Sequence, residues 1–236
     1  MEEGLRERKK RETRRRIADV AMWLFMSRGF DNVTVAEVAR AADVSVNTVF
    51  NYFGTKEDLF LDRRDDLRDL RTRVVRERAP GESVVAAFRR DFFQALDEGD
   101  WRYGFNEGAE VWGRLVGESA SLAARARELE SEIEEDLAAA IAEETGADDD
   151  DLTPKLVAQH ILGLTRLLGR HYTLRSTAGE PREEILADLR ERARAGFDLL
   201  ESGIGDYGRR SLGADAAEDG EAAGDEEDDH VEGDQR

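Results

Sequence analysis

The sequence contains no cysteine, and only three prolines and three histidines occur among its 236 residues. Without thiols, neither disulfides nor thiolate zinc sites are available, which is typical of a protein in a reducing cytoplasm. No run of about 18 apolar residues is present to cross a membrane, and the charged N-terminal stretch is unlike a signal peptide. We therefore expect a cytoplasmic protein without a membrane partner.

Positive charge is also scarce, with 35 basic residues against 54 acidic ones, and it is unevenly distributed. Eight basic residues fall within residues 6–16 beside only two acidic ones, and residues 1–56 carry a net charge of +3. Residues 206–236 carry twelve acidic residues and three arginines, a net charge of −9, and almost no large apolar side chain. Such a composition cannot bury enough surface to fold, so we predict a disordered acidic tail over 205–236. The N-terminal region is the part of the chain suited to nucleic acid.

Most of the chain has apolar residues at helical spacing, which predicts an all-α protein of about nine helices. Thr34 stands three residues before Glu37, the spacing of a capping box, and begins a short second helix. Ser45 is placed to cap an equally short third helix. We expect a long fourth helix to run from Thr55 toward Arg78, where a proline and a glycine follow.

Further helices are predicted in the second part of the chain. The segment 101–116 has helical spacing, but its three glycines weaken the prediction. Two apolar helices, 156–172 and 185–200, complete the pattern. A basic segment, a supporting helix and two short helices in succession are the parts of a helix-turn-helix, whose second short helix lies in the DNA major groove.

The run TRRRIADVAMWLFMSRGFDNVTVAEVARAADVSVNTVFNYFGTKEDLF resembles the DNA-binding domain of the tetracycline-repressor-like (TetR) family. About 48 residues match the family pattern in order and spacing. The resemblance implies a three-helix DNA-binding domain over 1–57 and a helical effector-binding and dimerisation domain over 58–204. The acidic tail follows at 205–236.

The resemblance also implies which residues contact DNA. The positions that meet the phosphate backbone are matched by Thr34, Ser45, Thr48, Tyr52 and Lys56. The positions that face base edges are matched by Val46, Asn47 and Asn51. Phe50 stands where the family usually has tyrosine, so one phosphate hydrogen bond is lost, although the ring still fits against a sugar or a thymine methyl.

For the second domain, the resemblance implies a homodimer formed by helices 156–172 and 185–200 on a near-palindromic double-stranded DNA operator. It also implies a small effector, apolar or aromatic, in a pocket for which the candidate residues are Phe92, Trp101, Phe105, Trp112, His160 and Leu164. The aromatic residues among them fit equally well as the filling of a core. His160 and His171 would lie about 16 Å apart on one helix, too far to share a metal ion, and we expect neither metal nor cofactor.

The expected function is that of a dimeric, sequence-specific transcriptional regulator, a repressor that a small-molecule effector releases from DNA. The alternative is a regulator or interaction protein without a ligand, in which the acidic tail recruits a partner. No paired nucleophile and base is visible in the sequence, so we do not expect an enzyme.

Overall fold

The computed structural model describes residues 4–106 and 108–210, which form ten α-helices, one 3-10 turn and no β-strand. The helices are α1 (Leu5–Arg28), α2 (Val35–Ala41), α3 (Val46–Phe53), α4 (Lys56–Phe60), α5 (Arg64–Arg76), α6 (Val84–Glu98), α7 (Ala109–Glu118), α8 (Ala120–Thr145), α9 (Thr153–Thr177) and α10 (Arg182–Ile204). The predicted all-α class is confirmed. Within the described residues, no helix is both long enough and apolar enough to cross a membrane.

The first four helices pack around a cluster of aromatic rings. Phe25 of α1 lies 5.0 Å from Phe30 and 5.8 Å from Phe60, measured between ring centroids. Val49 and Phe53 bring α3 against the same cluster. We call residues 17–61 the DNA-binding module, because they contain the predicted helix-turn-helix.

Local hydrogen bonds set the two helix starts that the sequence predicts. Thr34 and Glu37 form both halves of the capping box at α2, and the Ser45 side chain accepts from the Thr48 backbone N–H at α3. Between these helices the chain turns through Asp43, whose φ of 53° lies in the left-handed region. Aspartate tolerates this conformation better than most residues because its side chain can hydrogen-bond locally.

The long helix predicted from Thr55 toward Arg78 is divided in the structure, which is why ten helices replace the expected nine. Helix α4 ends at Phe60, and α5 begins at Arg64. Leu59, Phe60 and Leu61 are all buried. Three consecutive residues point in three directions around a helix, so all three reach the core only if the chain bends.

The helix predicted over 101–116 is also wrong in its first half. A 3-10 turn occupies Trp101–Tyr103, and α7 begins only at Ala109. Gly104 and Gly108 adopt φ angles of 78° and 87° and so break the helix between them. Left-handed backbone of this kind favours glycine, because other residues carry a Cβ that clashes.

The remaining helices form the body of the protein around a second apolar cluster. Phe92 lies at its centre, with ring centroids of Tyr103, Phe105 and Phe197 at 4.9, 5.2 and 5.6 Å. Helices α9 and α10 include the predicted ranges 156–172 and 185–200 and pack against each other.

The end of α10 is followed by a packed segment, where the sequence predicted the start of a disordered tail. Residues 206–210, which we call the C-terminal strap, lie against the turn between α5 and α6. The Gly81 N–H donates to the Arg210 carbonyl at 2.6 Å, and the Arg210 N–H donates to the Glu82 carbonyl at 3.2 Å. The buried Arg78 donates to the Gly208 carbonyl at 3.2 Å and to Glu144 at 2.9 Å. Residues 205–210 of the predicted tail are therefore hydrogen-bonded to the fold, and the rest of the tail, 211–236, lies outside the described residues.

We expect deletion of residues 206–236 to lower the free energy of unfolding by about 2–4 kcal/mol, because several hydrogen bonds are lost and Arg78 stays buried with fewer acceptors. Deletion of 211–236 alone is the matched control and should change it by less than about 0.5 kcal/mol. Urea denaturation of the two truncated proteins measures the difference. Equal stabilities would show that the strap does not stabilise the fold.

Candidate nucleic-acid interface

The third helix separates its residues into a buried and an exposed face. Val49 and Phe53 are 1% and 3% exposed and hold α3 in the module. Asn47 and Asn51, one helical turn apart, are both exposed, and Phe50 is 45% exposed between them. Val46, at 38%, extends the same surface toward the helix start. The structure therefore brings the three residues predicted to face bases, together with Phe50, onto one exposed surface.

The hydroxyl groups at the starts of α2 and α3 are held in place by neighbouring groups. Ser45 and Thr48 lie 2.8 Å apart, oxygen to oxygen. Glu37 accepts from the Thr34 backbone N–H and from Arg28, each at 2.8 Å. The backbone hydrogen bond from Thr34, followed by Arg28 and the Thr34 hydroxyl, lowers the pKa of Glu37 to about 2. Thr34 is thus fixed at an exposed helix start, where backbone N–H groups favour an anion.

Lys56 lies at the start of α4, packed over an aromatic ring. Its Nζ is 4.1 Å from the centroid of Phe30, a cation–π distance. Burial lowers the pKa of Lys56, and Asp31 and Glu57 act in the opposite direction. Tyr52 is half-buried and packs against Phe53, with 6.3 Å between ring centroids. All nine residues predicted to contact DNA belong to α3 or to the starts of α2 and α4, and their contacts with DNA remain predictions.

Helix α1 extends beyond the module at its N-terminus, in the stretch that we call the α1 basic stretch, residues 6–16. Most of its basic side chains are exposed, namely Arg6, Arg8, Lys9, Lys10, Arg11, Arg15 and Arg16. Arg14 is instead held in the fold, donating to the Asp62 carbonyl at 3.1 Å and lying 4.8 Å from the Phe53 ring centroid. Helical structure thus places a concentrated positive charge beside the module.

The start of α8 attaches the module to the body through polar contacts that the sequence analysis missed. Arg125 donates to Asp58 at 2.9 Å and to Glu132 at 2.7 Å. Ser121 donates to Glu57 at 2.8 Å. Asp58 and Glu57 lie more than 60 positions before these residues of α8, and sequence spacing gave no signal of the two contacts.

Apolar packing reinforces this attachment. The core of the module includes Leu122, Leu129 and Ile133 of α8 and Leu115 of α7. Trp112 of α7 also stacks on Phe60, with 6.0 Å between centroids. The domain boundary predicted after residue 57 therefore cuts through a shared cluster, since Leu59, Phe60 and Leu61 belong to it as well.

The six residues predicted to line an effector pocket lie in different parts of the described structure. Phe92 and Phe105 are fully buried and contact each other within the body core, so they fill it. Trp101 instead lies 4.9 Å from the Arg63 guanidinium, and His160 is exposed. Leu164 packs against Gly196, and Trp112 belongs to the junction with the module. Aromatic packing in the body core thus accounts for Phe92 and Phe105, and the effector pocket stays a prediction.

Two surface clefts lie elsewhere on the body. One, of about 490 Å³, is lined by residues of α5 and α8, including Arg68, Thr72 and Asp136. The other, of about 680 Å³, lies beside the C-terminal strap and is lined by Arg78 and Tyr207 among others. Both are lined largely by charged and polar side chains, and neither contains any of the six predicted pocket residues.

Comparison with known proteins agrees with this geometry. The family described as bacterial regulatory proteins, tetR family, matches residues 17–62, and the MftR C-terminal domain matches residues 79–204. The HTH-type transcriptional regulator TcmR of Streptomyces glaucescens is 31% identical over 179 residues, which cover 73% of this chain and 78% of TcmR.

Solved structures share the fold at lower identity. A Mesorhizobium loti protein described as a TetR-family transcriptional regulator has a TM-score of 0.51 at 20% identity, covering 81% of this chain and 96% of that one. Salmonella enterica GusR has a TM-score of 0.51 at 18% identity, covering 83% of this chain and 95% of its own. These two matches support the arrangement of the helices alone.

We expect Arg28→Gln to raise the pKa of Glu37 from about 2 while leaving it below the ordinary value of 4.5, because the Thr34 backbone N–H, the largest cause, remains. A lowered pKa means that the ionised carboxylate stabilises the fold above about pH 4.5, and this contribution is lost as the pH falls toward 2. Carboxyl carbon shifts followed by NMR measure the titration. An unchanged pKa in the variant would exclude the ion pair as a cause.

Proposed function

Because this chain belongs to the TetR family of bacterial regulatory proteins, we propose that it represses transcription as a homodimer bound to a near-palindromic DNA operator. We further propose that a small apolar or aromatic effector releases it. The observation that carries the proposal is the exposed face of α3, where Asn47 and Asn51 lie one turn apart beside a basic surface. Asparagine can accept from and donate to adenine together, and a helix presenting such groups fits the major groove.

Support for the homodimer comes from an exposed apolar stripe on α9. Leu156, Leu167 and Leu174 are 50%, 65% and 60% exposed. His160 and Gly163 lie on the same side of the helix between Leu156 and Leu167, at alternating spacings of four and three residues, and Leu174 follows seven residues later. Spacing of this kind suits a helix that packs along another helix. Burying the stripe against a second copy would remove this apolar surface from water and set two α3 helices at a fixed separation.

Support for effector control comes from the position of α7 between the module and the dimer helices. On one side, Trp112 stacks on Phe60 and Leu115 enters the module core. On the other side, α7 approaches α9 so closely that a Cβ at Gly113 would lie 2.6 Å from a methyl carbon of Thr173. An effector that favours a second position of α7 would therefore move the module relative to α9. Release of DNA then follows from different effector affinities for the two arrangements.

The proposal is tested by selecting DNA from a random-sequence pool at about 150 mM salt, where sequence-neutral binding is weakened. We expect the chain to enrich a near-palindromic site. Asn47→Ala should relax the choice of base at particular positions and cost about 1–3 kcal/mol on the selected site. Lys56→Ala should weaken binding to all sequences and lower the salt slope by about one. No enriched site would contradict the proposed function, and equal sequence-neutral losses in both variants would contradict base reading by Asn47.

The homodimer is tested by placing a charge in the stripe. We expect Leu167→Glu to dissociate the dimer at least about tenfold more readily, because each subunit would bury a carboxylate at the interface. Trp23→Glu is the matched control, since Trp23 on α1 is 66% exposed and Leu167 is 65% exposed. Sedimentation over a range of concentrations measures both equilibria. If the control dissociates and Leu167→Glu does not, the interface lies elsewhere.

A further inference from the structure

The two ends of the chain carry opposite charges. Residues 211–236 contain eleven acidic residues and one arginine, a net charge of −10. The α1 basic stretch contains eight basic and two acidic residues. Residues 17–210 contain 26 basic and 39 acidic residues, a net charge of −13. The helices between the two ends therefore repel residues 211–236 overall, whereas the α1 basic stretch attracts them.

The C-terminal strap fixes the point from which residues 211–236 start. The Arg210 side chain donates to the Arg76 carbonyl at 3.1 Å and to the Arg78 carbonyl at 2.8 Å, at the end of α5. At the other end of α5, the chain passes Asp62, whose carbonyl accepts from Arg14 of the α1 basic stretch. The length of α5 thus separates the start of residues 211–236 from α1. For 13 residues this length is roughly 20 Å.

Residues 211–236 are long enough to cover this distance. Twenty-six residues span up to roughly 90 Å when extended. A flexible chain of that length has a root-mean-square end-to-end distance of roughly 28 Å. Attachment through the strap would therefore hold the acidic segment close to α1 at a high effective concentration.

We propose that residues 211–236 bind the α1 basic stretch of the same chain and compete there with DNA phosphates. The proposal rests on the proposed function in one respect, because the competitor is DNA. Residues 211–236 and DNA would contact the same exposed cations, namely Lys9, Lys10, Arg15 and Arg16. Contacts with phosphate do not depend on the base sequence, whereas the proposed contacts of α3 with bases in the groove do. Competition at α1 therefore weakens binding to all DNA, and the base contacts of α3 then account for a larger share of the affinity for an operator.

The contact itself is tested without DNA. The chain has no cysteine, so Ala223→Cys places a single spin label within residues 211–236. We expect the label to broaden the backbone amide signals of residues 6–16. The signals of α10 near residue 190 should stay sharp. At about 0.5 M salt the broadening should disappear, because the Debye length is then only a few ångströms. Absence of broadening in the α1 basic stretch at low salt would overturn the proposal.

The competition is tested on double-stranded DNA of arbitrary sequence at about 50 mM salt. In one variant, the eleven acidic residues of 211–236 are replaced by their amides, which keeps the length and removes the charge. We expect it to bind DNA roughly five- to tenfold more tightly than the natural chain, because its cations are freed for phosphate. Substituting glutamine for Lys9, Lys10, Arg15 and Arg16 should weaken binding and abolish that difference.

If the amide replacements raise the affinity for DNA as much in the glutamine variant as in the natural chain, residues 211–236 act by general repulsion. That result would overturn the proposed contact. Equal affinity of the natural and amide variants would overturn the competition. These outcomes are distinct from failure of the proposed function, in which no sequence is enriched from the random pool. The label experiment contains no DNA and is independent of that result.

Discussion

The division of one apolar stripe on α8 between two cores is the constraint on which the rest of the structure depends. Leu122, Leu129 and Ile133 belong to the core of the DNA-binding module, while Leu137 and Ile141 belong to the core of the body. A module of about 45 residues buries a small share of its surface and would be only marginally stable alone. The stripe therefore completes the module, and a single continuous helix of 26 residues joins it to the body. Because the same helix serves both cores, the position of the module and its stability depend on the same contacts.

Polar contacts determine where on α8 the module sits. Apolar packing is not directional, so the stripe alone would allow the module to shift along the helix. Arg125 sets the position, since its guanidinium bonds Asp58 of the module and Glu132 of its own helix. Planar guanidinium groups with two carboxylate partners have strict geometry. The exposed face of α3 is therefore oriented by residues outside the nine that are predicted to contact DNA.

Local features of this fold could be predicted from sequence, and contacts between distant segments could not. The capping box of Thr34 and the Ser45 cap of α3 depend on residues within four positions of each other, and both were predicted correctly. The break after α4 also had a local signal, three consecutive apolar residues, which the prediction of a long helix overlooked. The strap had no such signal, because four of its five residues are charged or glycine and its hydrogen bonds join residues about 130 positions apart. The predicted effector pocket stays a prediction for a related reason: aromatic residues at helical spacing contact either each other or a ligand, and the sequence does not distinguish the two.

The shared core also determines how an effector could act. Moving α7 or the start of α8 would expose part of the module core around Phe60, so a change in position carries a cost in stability. An effector must therefore bind the second arrangement more tightly than the first, by more free energy than the module loses in packing. By reciprocity, DNA that favours the first arrangement would lower the affinity for the effector by the same factor by which the effector lowers the affinity for DNA. Control of this kind needs no flexible hinge between the two parts. The junction itself, with Trp112 on Phe60 and Leu115 in the core, is the element whose two arrangements DNA and effector would select.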